Sequence, residues 1–360
     1  MSPKIRPSRK QSVATLSDVA KLAGVSPMTV SRVINGEASV RAANRDKVNA
    51  AVSALNYVPN QAARHLAGSE LIRIGVLYSN PSANYLNELL VGVLNQASLS
   101  HVQLVVEKCE ADDHEDEVAS NLIASGIDGI ILPPPFCDSA RLLNLVVQSS
   151  TPAVTIACGL PDRRVSAVSI DDFQAAFEMT QHIMALGHQR IGFIVGHPNQ
   201  TASARRLAGY RAAMSGAGLE VPDELIAQGM FNYRSGLDAA EILLGQEQRP
   251  SAIFASNDDM AAATVAIAHR LGLDVPGDLT VAGFDDAALA TTIWPQLTTV
   301  HQPITDMAGR AVELLVRQIG ADRNGEPVPC EHVVMEFSLI RRQSDAAPRL
   351  RPPVRIVSRA

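Results

Sequence analysis

Residues 15 to 36 constrain the fold most, because they predict two short capped helices joined by a tight turn. Thr15 precedes the first apolar stretch and Asp18 follows three residues later, which is an acidic form of the capping box. A glycine then permits the chain to reverse. Ser26 is a good N-cap, and Pro27 suits the first helical position, where its missing N–H costs nothing. The segment therefore predicts a helix-turn-helix pair.

Helical spacing divides the second of these helices into two faces. The apolar side chains face inward: Val30, Val33 and Ile34. The side chains that face outward are Met28, Thr29, Ser31, Arg32 and Asn35. A helix with such a face fits the major groove of DNA, where an arginine can hold a guanine through two hydrogen bonds. The alternative is an ordinary helical hairpin without a nucleic-acid partner.

The distribution of charge favours the DNA-reading interpretation. Residues 1 to 69 contain ten Lys or Arg and three Asp or Glu, a net charge of +7. The whole chain carries −6, so residues 70 to 360 carry −13. A basic head on an acidic body indicates that the head contacts phosphates.

Two further segments complete the amino-terminal region. Val48, Ala51 and Leu55 lie at helical spacing and predict a third helix from Ala42 to Leu55. A turn-rich break follows, and then an Ala-rich stretch from Gln61 to Gly68. Such a short helix is marginal in isolation, so this stretch is interpreted as a hinge that a partner can order.

Beyond Leu71, apolar strands alternate with amphipathic helices. The predicted strands are residues 73–78, 102–106, 129–132, 153–156, 190–195, 252–255 and 279–283. Repeated βα units imply parallel sheets that are buried on both faces. The series restarts after Asp171, which indicates two doubly wound lobes. Ligands of such folds bind beyond the carboxyl ends of the strands, so a cleft between the lobes is the expected site.

Several classes of protein are disfavoured. The chain has no apolar run near the ~20 residues that cross a bilayer, and no apolar signal segment, so we expect no membrane partner and a cytoplasmic location. The four cysteines, Cys109, Cys137, Cys158 and Cys330, form no C-x-x-C pair and are expected to be reduced thiols. The common enzyme motifs are absent as well, so neither catalysis, a cofactor nor a metal is expected.

A series of motifs resembles the LacI/GalR family of bacterial transcription regulators. In chain order the matching segments are Leu16 to Asn35, Leu66-Ala67-Gly68, Leu186 to Ile191, Arg206 to Tyr210, Ser256 to Ala261, Gly283 to Asp286 and Leu297 to Val300. They occur in the family's order over residues 15 to 344. The order, rather than any single later motif, carries the resemblance.

The resemblance implies a homodimer whose two heads occupy the halves of a pseudo-palindromic operator, associated with the nucleoid. It also implies that the hinges fold as a pair on DNA, with Leu66 inserted between base pairs in the minor groove. Thr29, Ser31 and Asn35 would anchor phosphates, Arg32 would read a guanine, and Met28 would make an apolar contact. The DNA-binding residues expected are Thr15, Leu16, Ser26, Pro27, Met28, Thr29, Ser31, Arg32, Asn35, Asn60, Ala63, Leu66 and Ala67.

The body is similar to periplasmic sugar-binding proteins, which implies an allosteric cleft for a small sugar. By family position the effector-binding residues are Asn80, Tyr85, Asp171, Arg206, Phe231, Asn257 and Asp285. Asn80 and Ala157 depart from the common family pattern, so the pocket is not expected to copy a common one. The resemblance leaves open whether the sugar is an inducer or a corepressor. The other functions considered are a periplasmic-type receptor and a sugar-modifying enzyme.

The predicted fold is thus a small all-α helix-turn-helix head plus an α/β periplasmic-binding-protein-like body of two doubly wound parallel-sheet lobes. The predicted segments are a disordered basic arm at 1–14, a DNA-binding domain at 15–59, a hinge at 60–70, an effector-binding and dimerisation domain at 71–345 and a disordered tail at 346–360. Within the body, the N-lobe is expected at about 71–171 and 302–330, and the C-lobe at about 172–301 and 331–345. The tail has no leucine heptads, which favours a dimer over a tetramer.

Overall fold

A computed structural model describes residues 15–34, 40–55, 71–79, 81–109, 114–327 and 329–349 of the chain. The chain divides into two compact units, with the boundary between Leu71 and Ile72. The predicted arm at 1–14, the hinge at 60–70 and residues 350–360 of the predicted tail lie outside the described residues.

The first unit contains three described helices, α1 (Leu16–Ala23), α2 (Pro27–Ile34) and α3 (Ala42–Ala54). The predicted capping box is confirmed: the Thr15 hydroxyl accepts from Asp18 N, and the Asp18 carboxylate accepts from Thr15 N. The glycine of the turn has a left-handed φ of 66°. The three helices share one small apolar core of Val19, Ala20, Ala23, Val30, Val33, Val48 and Ala51.

The second unit is built from alternating strands and helices. Its strands are β1 (Arg73–Tyr78), β2 (Gln103–Lys108), β3 (Gly129–Leu132), β4 (Ala153–Ile156), β5 (Ser166–Ser169), β6 (Ile191–Val195), β7 (Ile226–Gln228), β8 (Ala252–Ala255), β9 (Thr280–Asp285), β10 (Thr298–His301), β11 (His332–Val334) and β12 (Ser338–Ile340). Its α-helices are α4 (Ala83–Leu99), α5 (Glu115–Ala124), α6 (Ala140–Gln148), α7 (Asp172–Ala185), α8 (Thr201–Gly216), α9 (Tyr233–Leu244), α10 (Asp258–Arg270), α11 (Ala288–Thr292) and α12 (Ile304–Arg323).

These strands form two six-stranded sheets with the same topology, and each sheet defines one lobe. The N-lobe sheet has the order β11-β5-β4-β3-β1-β2, and the C-lobe sheet has the order β12-β10-β9-β8-β6-β7. All neighbours pair in parallel except β10 and β12, which pair antiparallel. The strand order reverses beside β1 and beside β6, which are the points where such sheets bind ligands. The predicted pair of doubly wound lobes is confirmed.

The chain crosses between the lobes after β5, after β10 and between β11 and β12. The last crossing comes later than the predicted return to the C-lobe at residue 331. His332–Val334 pairs in parallel with β5 of the N-lobe, where Val333 lies opposite Val168. This third crossing follows Val334, because β11 completes the N-lobe sheet before β12 joins the other one.

The first four residues of the predicted disordered tail, 346 to 349, make contacts with the C-lobe. Ala346 O accepts a hydrogen bond from Thr280 Oγ1 at 3.0 Å and lies 2.8 Å from His188 Nε2. Arg349 forms an ion pair with Asp274 at 2.9 Å. These residues therefore pack as a continuation of the C-lobe. Among the described helices, none combines the length and the apolar character that a membrane span requires.

Candidate nucleic-acid interface and ligand cleft

The second helix of the first unit begins where the sequence predicts. Ser26 Oγ accepts from Thr29 N at 3.2 Å, which is the N-cap hydrogen bond of α2. Val30 is fully buried and Val33 nearly so, whereas Met28 is 63% exposed. Burying one face fixes the helix on the core and leaves the other face available to a partner.

The predicted DNA-contacting residues of this unit differ in exposure. Thr15, Ser26, Pro27, Met28 and Arg32 are exposed, and Thr29 and Ser31 are half-buried. Leu16 is half-buried and packs against the apolar core, so much of its side chain serves the fold. Asn35, Asn60, Ala63, Leu66 and Ala67 lie outside the described residues.

Thr15 stabilises the start of α1 through hydrogen bonds to Asp18. Its hydroxyl donates to Asp18 Oδ2 at 2.7 Å while its backbone N–H donates to the same oxygen at 2.9 Å. These bonds lower the pKa of Asp18, the side-chain bond contributing most. Thr15 therefore ties the start of α1 together.

The second unit contains a cleft at the carboxyl ends of both sheets. Its empty volume, including the part open to solvent, is about 370 Å³. The lining residues are Ser82, Tyr85, Pro134, Ala157, Gln200, Ala202, Arg206, Phe231, Asn257, Asp285 and Gln302.

Arg206 lies at the centre of the cleft's polar network. Its Nε donates to Asp172 Oδ1 at 2.7 Å, Nη1 donates to the carbonyl of Ser256 at 2.6 Å, and Nη2 donates to Gln302 Oε1 at 3.2 Å. A guanidinium has five N–H donors, so these three bonds leave donors over for a ligand. Arg206 is 5% exposed, and the three hydrogen bonds fix the plane of its guanidinium group.

Two aromatic rings hold the same guanidinium. Its carbon lies 3.5 Å from the centroid of the Phe284 ring and 5.7 Å from that of Phe231. Such cation–π contacts are worth up to ~2 kcal/mol when the cation is desolvated. Arg206 is therefore a rigid donor, and Phe231 offers an apolar wall beside it.

Asp285 supplies the one carboxyl group among the described lining residues of the cleft. Its Oδ1 lies 3.9 Å from Arg206 Nη1, which is ion-pair range but longer than a hydrogen bond. Burial raises the pKa of Asp285 well above its usual range, and the nearby Arg206 opposes that shift. Asp285 is the last residue of β9, and its backbone has a φ of 106°, a strained conformation. A ligand hydroxyl could hydrogen-bond to its carboxyl group.

Asn257 combines two local roles with its place in the cleft. Its Oδ1 accepts from Met260 N at 3.0 Å and caps α10, and its Nδ2 donates to the carbonyl of Phe231 at 3.1 Å. These bonds fix the Asn257 amide. The Phe231 ring packs on Gly196, where an added Cβ would lie 2.0 Å from the ring carbon Cζ.

Tyr85 carries an unused polar atom. Its hydroxyl is buried and has no hydrogen-bond partner in the described structure. A buried unpaired hydroxyl costs free energy, and burial also raises the pKa of Tyr85 well above its ordinary value. Because Tyr85 lines the cleft, a polar ligand atom would satisfy this hydroxyl.

The structure thus brings five of the seven predicted effector residues to one cleft: Tyr85, Arg206, Phe231, Asn257 and Asp285. Asp171 is not among the lining residues; its Oδ1 accepts from Gln174 N at 3.1 Å and caps α7. Asn80 lies outside the described residues.

Six residues of the lining were not predicted to contact the ligand, although Ala157 was named as a departure from the family pattern. These are Ser82, Pro134, Ala157, Gln200, Ala202 and Gln302. Ala157 and Gln302 directly follow β4 and β10, and Pro134 follows β3 by two residues. The rule that ligands meet the carboxyl ends of parallel strands could have identified those three.

Comparison with known proteins gives two matches to family models. Residues 15–60 match the bacterial regulatory proteins of the lacI family, and residues 180–344 match the periplasmic binding protein-like domain. The chain is 34% identical over 332 residues to catabolite control protein A of Priestia megaterium, an alignment that covers 92% of this chain and 98% of that protein.

Two solved structures share the fold over nearly the whole length. A complex of the transcriptional regulator CelR with cellobiose has a TM-score of 0.70 at 31% identity, covering 92% of this chain and 99% of that one. A lac repressor dimer bound to operator and the anti-inducer ONPF has a TM-score of 0.76 at 27% identity, covering 93% and 99%.

Proposed function

Because this chain belongs to the LacI family of bacterial regulatory proteins, we propose that it is a DNA-binding transcriptional repressor whose operator affinity changes when a small sugar occupies the cleft. The observation that carries the sugar-binding part is the cleft itself. It presents the rigid donor Arg206, the acceptor Asp285 and the unpaired hydroxyl of Tyr85 beside the ring of Phe231. Hydroxyl-rich rings need such paired donors and acceptors with an apolar wall.

The DNA-reading part rests on the exposed face of α2. Arg32 is proposed to hold a guanine in the major groove and Met28 to contact a thymine methyl, while Thr29 and Ser31 bind phosphates. Residues 15–59 form the reading domain in this proposal, with 1–14 as a basic arm and 60–70 as a hinge. Leu66 of the hinge is proposed as the wedge that opens the minor groove.

Two chains act together in the proposal, as the solved lac repressor does in its operator complex. A homodimer presents its two recognition helices to the halves of a pseudo-palindrome. The protein works in the cytoplasm, where its operator is. The sugar can shift operator affinity by no more than its difference in affinity for the two states, typically ~1–3 kcal/mol.

The two other candidate functions fit the residues less well. A sugar receptor has no use for the capped α1–α2 pair, which matches the family of regulators. A glycoside hydrolase requires two carboxyl groups in its cleft, and Asp285 is the one carboxyl group among the described lining residues. The relative and the solved structures named above are regulators, which also supports a role without catalysis.

The experiment is a selection of duplexes from a random pool by the purified protein, followed by titration of the selected site. Wild type is expected to enrich a pseudo-palindrome, and its affinity for that site should fall steeply with salt. Arg32→Ala should relax the preference at one position in each half-site. A pool that remains random after repeated rounds with the wild-type protein would contradict the proposal.

A further inference from the structure

A cluster of two thiols and a carboxylate lies beside the cleft, outside the network of Arg206. The Sγ atoms of Cys137 and Cys158 and a carboxylate oxygen of Asp138 all lie within 4.8 Å of one another. Both cysteines are buried, being 1% and 2% exposed, and Asp138 is half-buried. Thiolates and carboxylates are, with histidine, the side chains that bind zinc ions in proteins.

The topology of the N-lobe sheet explains why these side chains meet. Cys137 and Asp138 belong to a short 3₁₀ helix, Phe136–Asp138, that follows β3. Cys158 follows β4 by two residues. Since β3 and β4 are neighbours, their carboxyl ends place the two cysteines side by side even though they are far apart in the sequence.

A fourth polar group reaches the cluster from the C-lobe. Thr201 begins α8, the helix that carries Arg206. Its Oγ1 donates to Asp138 Oδ1 at 2.6 Å and lies 3.6 Å from Cys158 Sγ. Its backbone N–H donates to Asp138 Oδ2 at 3.0 Å, so the carboxylate of one lobe caps a helix of the other.

A tetrahedral zinc ion sets the spacing that its ligands must reach. Zn–S bonds of about 2.3 Å and Zn–O bonds of about 2.1 Å place neighbouring ligands roughly 3.4 to 3.8 Å apart. Here Cys137 Sγ lies 3.7 Å from Asp138 Oδ2, which is within that range, and Cys158 Sγ lies 3.1 Å from Asp138 Oδ1, which is shorter. The side chains of Asp138 and Cys158 must therefore shift to place both sulfurs and one carboxylate oxygen around an ion.

We propose that Cys137, Asp138 and Cys158 form a binding site for Zn²⁺, with the hydroxyl of Thr201 or a water molecule as the fourth ligand. On binding, each thiol releases one proton to solvent and each sulfur donates an electron pair to the ion, without any change of oxidation state. Two thiolates and one carboxylate leave the occupied site with a net charge of −1, and the positive end of α8 stabilises that charge.

The position of the site gives it a consequence for the cleft. Ala157 precedes Cys158, and Gln200 and Ala202 flank Thr201, and these three residues line the cleft. With Thr201 as the fourth ligand, the ion would be bound from both lobes and would hold this edge of the cleft closed.

The test uses the full-length, untagged protein, reduced and freed of metal, titrated with Co²⁺ as a spectroscopic probe and then with Zn²⁺. We expect one Co²⁺ per chain with an intense thiolate-to-metal absorption band, which Zn²⁺ then abolishes. Cys137→Ser and Cys158→Ser should lose the band, whereas the matched variants Cys109→Ser and Cys330→Ser should keep it. Asp138→Asn, which retains both thiols, should bind at least tenfold more weakly.

The measurement on the wild-type protein decides the matter even if a cysteine variant fails to fold. Absence of a thiolate band in the wild type, or weak binding of several ions per chain, would overturn the proposal. A band that survives in folded Cys137→Ser and Cys158→Ser, or disappears in Cys330→Ser, would overturn it as well. Circular dichroism of each variant establishes that it is folded.

Discussion

Ser82 of the N-lobe donates a hydrogen bond to Asp259 of the C-lobe, with its Oγ 2.5 Å from Asp259 Oδ2. Asn84 adds a second bond to the other carboxylate oxygen at 3.1 Å. Ser82 also caps α4, because its Oγ accepts from Tyr85 N at 3.2 Å. The helix that carries Tyr85 is thus joined to α10 across the rim of the cleft. This contact holds the two lobes together on one side, as Asp138 and Thr201 do on the other.

Asp259→Asn should weaken the closed form of the cleft. The amide retains one acceptor but loses the charge that strengthens both bonds, at a cost of ~1 to 2 kcal/mol. We expect the affinity for the sugar, measured calorimetrically, to fall about tenfold. Asp238→Asn, on an exposed ion pair of α9, is the matched control and should change the affinity by less than twofold. Equal affinity in Asp259→Asn and wild type would mean that this contact does not support closure.

Arg206→Lys should abolish most sugar binding while operator binding persists. A lysine keeps the charge but cannot direct bonds to Asp172, Ser256 and Gln302 at once. The expected loss is about 10- to 100-fold in sugar affinity, corresponding to ~1.5 to 3 kcal/mol.

The neighbouring arginine provides the control for that variant. Arg205 lies 3.5 Å from Asp171 on the surface of α8, and neither residue lines the cleft. Arg205→Lys should therefore bind the sugar within twofold of wild type. If Arg205→Lys impaired binding as strongly as Arg206→Lys, the assignment of the cleft would be wrong.

Gly196→Ala should displace the aromatic wall of the cleft. The added methyl group would meet the Phe231 ring, whose Cζ would lie 2.0 Å from it, and the ring must move. We expect sugar affinity to fall at least fivefold and operator affinity without sugar to stay unchanged. Gly216→Ala, where nothing lies within 4 Å of the added carbon, should leave both affinities unaltered. Preserved sugar binding in Gly196→Ala would remove Phe231 from the contact surface.

The buried carboxyl group of Asp258 should make stability depend on pH. Burial raises its pKa to about 7, despite hydrogen bonds from Thr299 and Ala287, whereas the ordinary value is near 3.9. A pKa that is higher in the folded state favours the protonated form, so folding is penalised increasingly as pH rises from about 4 to 7.

Asp258→Asn removes this titration, since the amide can accept from Ala287 N and donate to Thr299. The free energy of unfolding of Asp258→Asn, measured by urea denaturation, should therefore increase relative to that of wild type as the pH rises from about 4 to 7. A difference between the two proteins that stays constant from pH 4 to pH 7 would contradict the expectation. Comparing them at each pH cancels the titration of other groups, since both proteins share them.

The elements that were predicted correctly are marked in the sequence either by residues that interact with near neighbours in the chain or by uninterrupted runs of apolar residues. The capping bonds of Thr15 and Ser26 involve partners three residues away, and β3 and β4 are four-residue strands buried throughout. The missed strands lacked such signals. β7, β11 and β12 have three residues each, β5 begins and ends with serine, and β10 has one aliphatic residue among its four. Ser166 is tolerated inside the sheet because its Oγ accepts from Glu331 N at 2.9 Å, a partner that no local pattern reveals.

The location of the cleft was easier to predict from the sequence than the residues that line it. Repeated βα units place a ligand at the carboxyl ends of strands, whereas the assignment of Arg206 and Asn257 came from resemblance to the family. The contact of Ser82 with Asp259 joins residues from different lobes, and no pattern of residue spacing in the sequence predicts it. The same reason applies to Cys137 and Cys158, which only the adjacency of β3 and β4 brings together.

The central claim is that sugar occupancy and operator occupancy are coupled, and reciprocal binding measurements test it most directly. A sugar that raises the thermal stability of the protein is first identified from a panel, and the operator comes from the selection described above. Operator affinity is then measured with and without the sugar, and sugar affinity with and without the operator. Because each dimer binds two sugars and one operator, linkage requires the ratio of operator affinities to equal the product of the affinity ratios at its two sugar sites, and we expect the operator ratio to be about 5- to 150-fold. Ratios of one, with both ligands bound tightly and independently, would contradict the account.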